Sequence, residues 1–305
     1  VASGLWIATS VYSIGYMRSH GEQHQTRFYV CFAIAISAVM GIAFARNLLT
    51  LFLFYEVLTL STYPLVTHHG TEAAKRAGRT YLGFLMGTSI VGLLMAILWT
   101  WQLAGTLEFK PGGILDGHVD PLTAGLLLAL FAFGTGKADL MPLHRWLPAA
   151  MVAPTPVSAL LHAVAVVKAG VFTILKVGVY IFGTDLLGRG GSSVWLMYVA
   201  GATLLTASLV ALTRDNLKER LAYSTISQLA YIVLGISLAT ESGVIGSGMH
   251  IVMHAFGKIT LFFCAGAILI GAHKTRVSEL DGLGRRMPWT FAAFAIGSLS
   301  VIGLP

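Results

Sequence analysis

The chain has 305 residues, 56% of them hydrophobic and only 11% charged, and its mean hydropathy is +0.77. Soluble domains carry roughly 25% charged residues, so the composition excludes an ordinary soluble fold and points to an integral membrane protein. The formal charge of +7 does not indicate a nucleic-acid partner, because the positive residues fall in short loops between apolar runs and form no single basic face.

Apolar runs near the length that crosses about 30 Å of hydrocarbon, with little strand-like alternation, predict an all-α polytopic membrane protein. About ten segments are expected, over 3–17, 28–45, 47–67, 81–104, 121–141, 156–182, 193–212, 224–240, 244–272 and 288–305. The opening run has no basic region or cleavage signal and is not a signal peptide. The chain begins at Val1 and stops at Pro305 inside an apolar run, so the expectation is a single membrane domain, 1–305, truncated at both ends.

Sorting lysines and arginines into alternate loops supports this segmentation. One side receives Arg18, Arg27, Lys75, Arg76, Arg79, Arg145, Arg214, Lys218, Arg220, Lys274, Arg276, Arg285 and Arg286; the other receives only Arg46, Lys110 and Arg189. Four further lysines fall within the apolar runs. The bias predicts a cytoplasmic location for the first side. The longest external loop, about 105–120, is rich in glycine and acidic residues and reads as a solvated connection. No phosphate-cradling glycine motif precedes a helix, which argues against a nucleotide-driven pump. Cys31 and Cys264 lie inside apolar runs with no CxxC spacing, so neither a disulfide framework nor a metal or iron–sulfur site is expected.

The polar residues inside the apolar runs carry the functional signal. The stretch GTGKADLMPLHRWLP, residues 134–148, places Lys137 in a span that is then interrupted by glycine and proline. A charge and a helix break at membrane depth both require a lined polar interior. Glu56 sits in LFLFYEVLTL, where a carboxylate must be neutral, paired or wetted. Lys168 follows an apolar run with no easy exit to the interface, whereas Lys176, about two turns on, is open to either snorkelling or transport. His250, His254 and Lys258 stand at i, i+4 and i+8 on one helical face, a stripe suited to relaying protons. A metal pair is the competing reading of His-x3-His, but there is no third ligand nearby and no HExxH glutamate. His162 stands six residues before Lys168 on a neighbouring face and is a plausible link. Asp139 is two residues from Lys137, faces elsewhere on a regular helix and is not counted as its partner.

These stretches carry a resemblance. The chain resembles the antiporter-like proton-translocating membrane subunits shared by respiratory complex I, the Mrp sodium/proton antiporters and membrane-bound hydrogenases. The matching stretches are Phe54 to Glu56, Lys137 to Pro148, Ala153 to His162, Val167 to Gly170, Lys218 to Tyr231 and His250 to Lys258. The resemblance implies inverted five-helix repeats, each with a broken helix: a first repeat at 28–182 with its break near 134–148, and a second, incomplete repeat at 193–305. It also implies that Glu56 partners Lys137, that His162 and Lys168 lead onward, and that His250, His254 and Lys258 continue the line. The exit path is expected beyond Pro305.

The expected function is therefore proton translocation, or cation/proton antiport, within a larger redox-driven or Mrp-type complex. Expected partners are other membrane subunits, the lipid bilayer, protons and, left open, sodium; no cofactor is expected in this chain. The expected location is a bacterial or archaeal cell membrane. Two rival readings are a secondary transporter of a small anion or solute, with Lys137, Lys168 and Lys258 as counter-charges, and a purely structural subunit. The first requires the lysines to converge on one roomy pocket.

Overall fold

A computed structural model describes residues 1–304. Ten helical stretches of at least 14 residues follow one another: α1 Ala2–Ser19, α2 Gln25–Phe44, α3 Leu48–Val66, α4 Glu72–Ala104, α5 Pro121–Gly134, α6 Thr155–Phe182, α7 Val194–Thr213, α8 Leu217–Ser237, α9 Glu241–Ala272 and α10 Pro288–Ile302. Among the described residues there is no strand, only isolated antiparallel bridges joining Asn47 to Glu108 and Asn216 to Arg276. Each of the ten expected segments overlaps one of these helices. Six helices, α2, α3, α4, α6, α7 and α9, are both long and apolar enough to cross a membrane, while α5 and α10 are apolar but shorter.

The helix ends differ from expectation where side chains override hydropathy. Helix α8 starts at Leu217, ahead of the apolar run, because Asn216 Oδ1 accepts from the backbone N–H groups of Lys218 at 3.0 Å and Glu219 at 3.2 Å. Helix α5 stops at Gly134. A short 3-10 turn, Gly136–Ala138, follows, and Asp139 then adopts a left-handed conformation at φ 59°. A helical turn, Trp146–Ala149, leads on towards α6. The broken helix at 134–148 is thus present, and its break is made by glycine and a left-handed residue before the prolines are reached.

The caps reveal an internal repeat. Asn47 caps α3 through Thr50 N (2.8 Å) and Thr71 caps α4 through Ala74 N (3.2 Å), just as Asn216 caps α8 and Thr240 caps α9 through Gly243 N (3.1 Å). Asn47 and Asn216 are 169 positions apart, as are Thr71 and Thr240 and the first residues of α2 and α7. Both asparagines also bridge to the loop that follows the next helix.

Helix α6 is the axis of the bundle. Of its most apolar 18-residue window, 94% is buried, against 28% for α7, so protein rather than lipid surrounds it. It packs on α2, α3, α5, α8, α9 and the Gly136–Ala138 turn. That last contact needs a glycine: a Cβ on Gly170 would run into the backbone of Lys137 and Ala138. Helix α6 is also irregular, with a π turn at Leu160–Val164 closed by Ala165 N donating to Leu160 O at 2.9 Å.

Outside the spans, the α1–α2 loop is tied to the end of α3. Glu22 Oε2 lies 3.5 Å from His68 Nε2 and 3.6 Å from His69 Nδ1. Burial holds the His68 imidazole below its ordinary pKa, against the opposing pull of Glu22.

Candidate functional site

Lys137 occupies the Gly136–Ala138 turn, fully buried. Its ammonium donates to Tyr55 O at 2.9 Å and Thr59 Oγ1 at 2.6 Å and sits 3.1 Å from the centroid of the Tyr55 ring. The Tyr55 hydroxyl accepts from Lys137 N at 3.2 Å, and Trp146 Nε1 donates to Gly136 O at 3.1 Å. The break therefore satisfies its freed backbone with side chains, as irregular backbone at membrane depth must.

Glu56 is the immediate neighbour of Tyr55 on α3, within electrostatic reach of Lys137. No salt bridge joins the two: the ammonium is held by α3 oxygens, and both Glu56 carboxylate oxygens are buried without a hydrogen-bond partner. Asp139, also fully buried, forms no salt bridge with Lys137, and its carboxylate oxygens are likewise without a hydrogen-bond partner.

The second group is joined directly. Lys168 Nζ and His254 Nδ1 form a short hydrogen bond between α6 and α9. His254 and His250 follow one another on α9 with ring centroids 6.0 Å apart, and His250 faces Tyr231 of α8. Lys168 also lines an otherwise apolar cavity of about 320 Å³ between α1, α2, α6 and α9. His250 lines a larger, more polar cavity of about 1050 Å³ with Ser224, Ser227, Gln228 and Ser247. Lys258, fully buried, donates to Leu221 O at 3.1 Å and to Ser224 Oγ, and Ser224 lies in the wall of that cavity. His162 lies on the π turn of α6 against the Phe262 ring, with centroids 4.7 Å apart, and both ring nitrogens are buried without a partner.

The structure thus brings Lys168, His254 and His250 into one line. It sets Lys258 and His162 beside that line and holds Lys137 next to Glu56 on the far side of α6. Lys176 belongs to none of these. It donates to Ala43 O at 3.2 Å and Ala45 O at 2.6 Å, closing the C-terminal end of α2, where a cation is favoured.

Sequence reasoning missed one half-buried cation. Lys218, sorted with the cytoplasmic loop residues, donates to Ala153 O at 2.7 Å just ahead of α6. The signal was its neighbour: Asn216 is a strong N-cap residue, which places Lys218 in the first turn of a helix and outside any loop.

A family model described as NADH:quinone oxidoreductase/Mrp antiporter, TM, matches residues 45–305. The chain belongs to that family. It is 32% identical to hydrogenase-4 component B of Escherichia coli, aligning all of this chain with 47% of that protein, and 30% identical to NADH-quinone oxidoreductase subunit L of Escherichia coli, again over all of this chain and 49% of that protein. The chain therefore spans about half the length of these relatives. Two solved structures share the fold. One is an archaeal membrane-bound sulfane sulfur reductase (TM-score 0.80, 29% identity, 91% of this chain and 57% of that one), and the other is the Mrp complex of Dietzia (TM-score 0.81, 30% identity, 92% of this chain and 30% of that one). Family membership and the six apolar helices make this an integral membrane chain.

Proposed function

We propose that this chain translocates protons as a subunit of a multisubunit membrane complex, through a relay formed by Glu56, Lys137, His162, Lys168, His250, His254 and Lys258. The observation that carries the reading is the contact of Lys168 with His254, continued to His250 beside a polar cavity. An ammonium bound to a neutral imidazole nitrogen is a proton donor already on its acceptor. The lysines do not converge on one pocket, as solute counter-charges would: Lys137, Lys168 and Lys258 each hold different partners.

Glu56 and Lys137 act as a pair with two arrangements in this reading. With Glu56 turned towards it, the ammonium keeps its proton; with Glu56 away, the site favours release towards Lys168. The repeated caps of α3 and α8, five helices apart, support two units of opposite orientation, 28–182 and 193–305, with the basic loops in the cytoplasm. Moving one charge against 100 mV requires about 2.3 kcal/mol, so redox chemistry or a cation gradient elsewhere in the complex drives the cycle. The setting is a bacterial or archaeal cell membrane, and the transported ion is the proton, alone or exchanged for sodium.

The test is proton movement by the intact complex in proteoliposomes, read with a pH-sensitive dye. Glu56→Gln, Lys137→Ala and Lys168→Ala should each assemble and abolish transport. Wild-type rates in these assembled variants would overturn the relay.

A further inference from the structure

The outward side of α4 carries an amphiphilic groove that the relay does not use. Arg76, Arg79, Gly83 and Gly87 stand at i, i+3, i+7 and i+11, on one face of the helix, and all four are exposed. Nothing lies within 4 Å of where a Cβ would stand on Gly83 or Gly87, so no neighbour fills the hollow that their missing side chains leave. The groove, about 610 Å³, runs from Arg79 and Tyr63 over Gly83 and Gly87 to Val91. Through Gly87 and Val91, at a π turn of α4 over Ser89–Leu94, it continues into a second hollow of about 710 Å³ between α4 and α5.

The first groove is polar at one end only. Arg79 and Tyr63 are the polar side chains of its lining, and both stand towards the basic loops. Tyr63, near the end of α3, rides against α4: a Cβ on Gly78 would meet its ring. Among the described residues neither Arg76 nor Arg79 has an acidic partner, since Glu72, the acidic residue of α4, is held by Lys75 at 2.8 Å. From Arg79 to Val91 the helix rises about 18 Å at 1.5 Å per residue. Half of a hydrocarbon core of about 30 Å is about 15 Å. The groove is therefore one leaflet deep, with cations at its head and an apolar bed beneath.

We propose that this groove binds an anionic phospholipid of the leaflet on the basic-loop side. Its phosphate sits on Arg79, and one acyl chain lies over Gly83 and Gly87 as far as Val91. The guanidinium offers phosphate oxygens a planar fork of donors. Arg76, one turn further out, adds a second unneutralised charge, and the pair favours a head with net negative charge over a zwitterionic one. The site is separate from the relay and does not depend on it.

The test uses the intact complex in nanodiscs of equal parts phosphatidylcholine and phosphatidylglycerol, with a trace of either lipid carrying a photoactivatable group in its acyl chain. Cross-linked peptides are read by mass spectrometry. The phosphatidylglycerol probe is expected to label residues 83–91 at least about fivefold more than the phosphatidylcholine probe, and Arg79→Gln to lower that labelling about fivefold. Gly87→Leu, which fills the groove and leaves both arginines in place, is expected to lower it as well. Equal labelling by the two probes, showing bulk lipid only, overturns the proposal. So does wild-type phosphatidylglycerol labelling in either variant. If neither probe labels the stretch, a neighbouring subunit covers the groove and the proposal falls as well.

Discussion

Replacing Gly170 with alanine tests whether close approach of α6 to the Lys137 turn organises the site. The added Cβ would meet the carbonyl group of Lys137 and the amide nitrogen of Ala138. Backbone on both sides cannot rotate aside, so either the helix or the turn must move. Overpacking of this kind costs about 1–3 kcal/mol, and alanine returns up to about 1 kcal/mol through helix propensity, leaving a net loss of up to about 2 kcal/mol. Gly201 on α7 is the control, since a Cβ there meets nothing within 4 Å. Gly201→Ala should therefore gain up to about 1 kcal/mol, and the two variants should differ in sign. Thermal melts of the detergent-solubilised complex, followed by size-exclusion, read the stability. Proteoliposome transport should fall in Gly170→Ala alone, because the displaced turn takes the Lys137 ammonium off Tyr55 O and Thr59 Oγ1. A Gly170→Ala protein as stable and as active as wild type would refute the argument.

Lys176→Met leaves the carbonyls of Ala43 and Ala45 without their donor. A loss of about 1–3 kcal/mol is expected, with transport per surviving complex unchanged; a large transport defect at unchanged stability would show that Lys176 carries protons after all. The His68 contact predicts an acid-sensitive loop. Because burial lowers the folded pKa of His68, its contribution is complete above the unfolded value of about 6.5 and declines as the pH falls through that value towards the folded one. Amide exchange around residues 66–71 should accelerate relative to α6 on acidification below pH 6.5, and His68→Gln should flatten that pH dependence; an unchanged pH dependence in His68→Gln would remove His68 as its source.

Helix positions were legible in the sequence because hydropathy and span length dominate at membrane depth, and so was the break after Gly134. The candidate site was legible as residue types on helical faces: His250, His254 and Lys258 needed only their spacing. Contacts between helices were not legible, since they depend on how helices cross. Spacing did not show that Lys168 would meet His254, that Lys176 would close α2, or that the Lys137 ammonium would bind α3 oxygens with Glu56 one residue away. The internal repeat was present in the sequence as paired cap residues, Asn47 with Asn216 and Thr71 with Thr240, but hydropathy passes over such residues. The π turn at Leu160–Val164 contains no glycine or proline, so nothing local announced it.

That π turn makes the site depend on counting as well as chemistry. A helix turns about 100° per residue, and the wider turn admits one residue more than a regular α-helix would. Winding the same residues as an ordinary helix would swing everything after the turn by about a quarter-turn. Lys168 would leave His254, and Gly170 would no longer face Lys137, although no ionisable side chain had been altered. In this chain, the winding of a single turn of the central helix decides which charged groups meet as much as the charges themselves do.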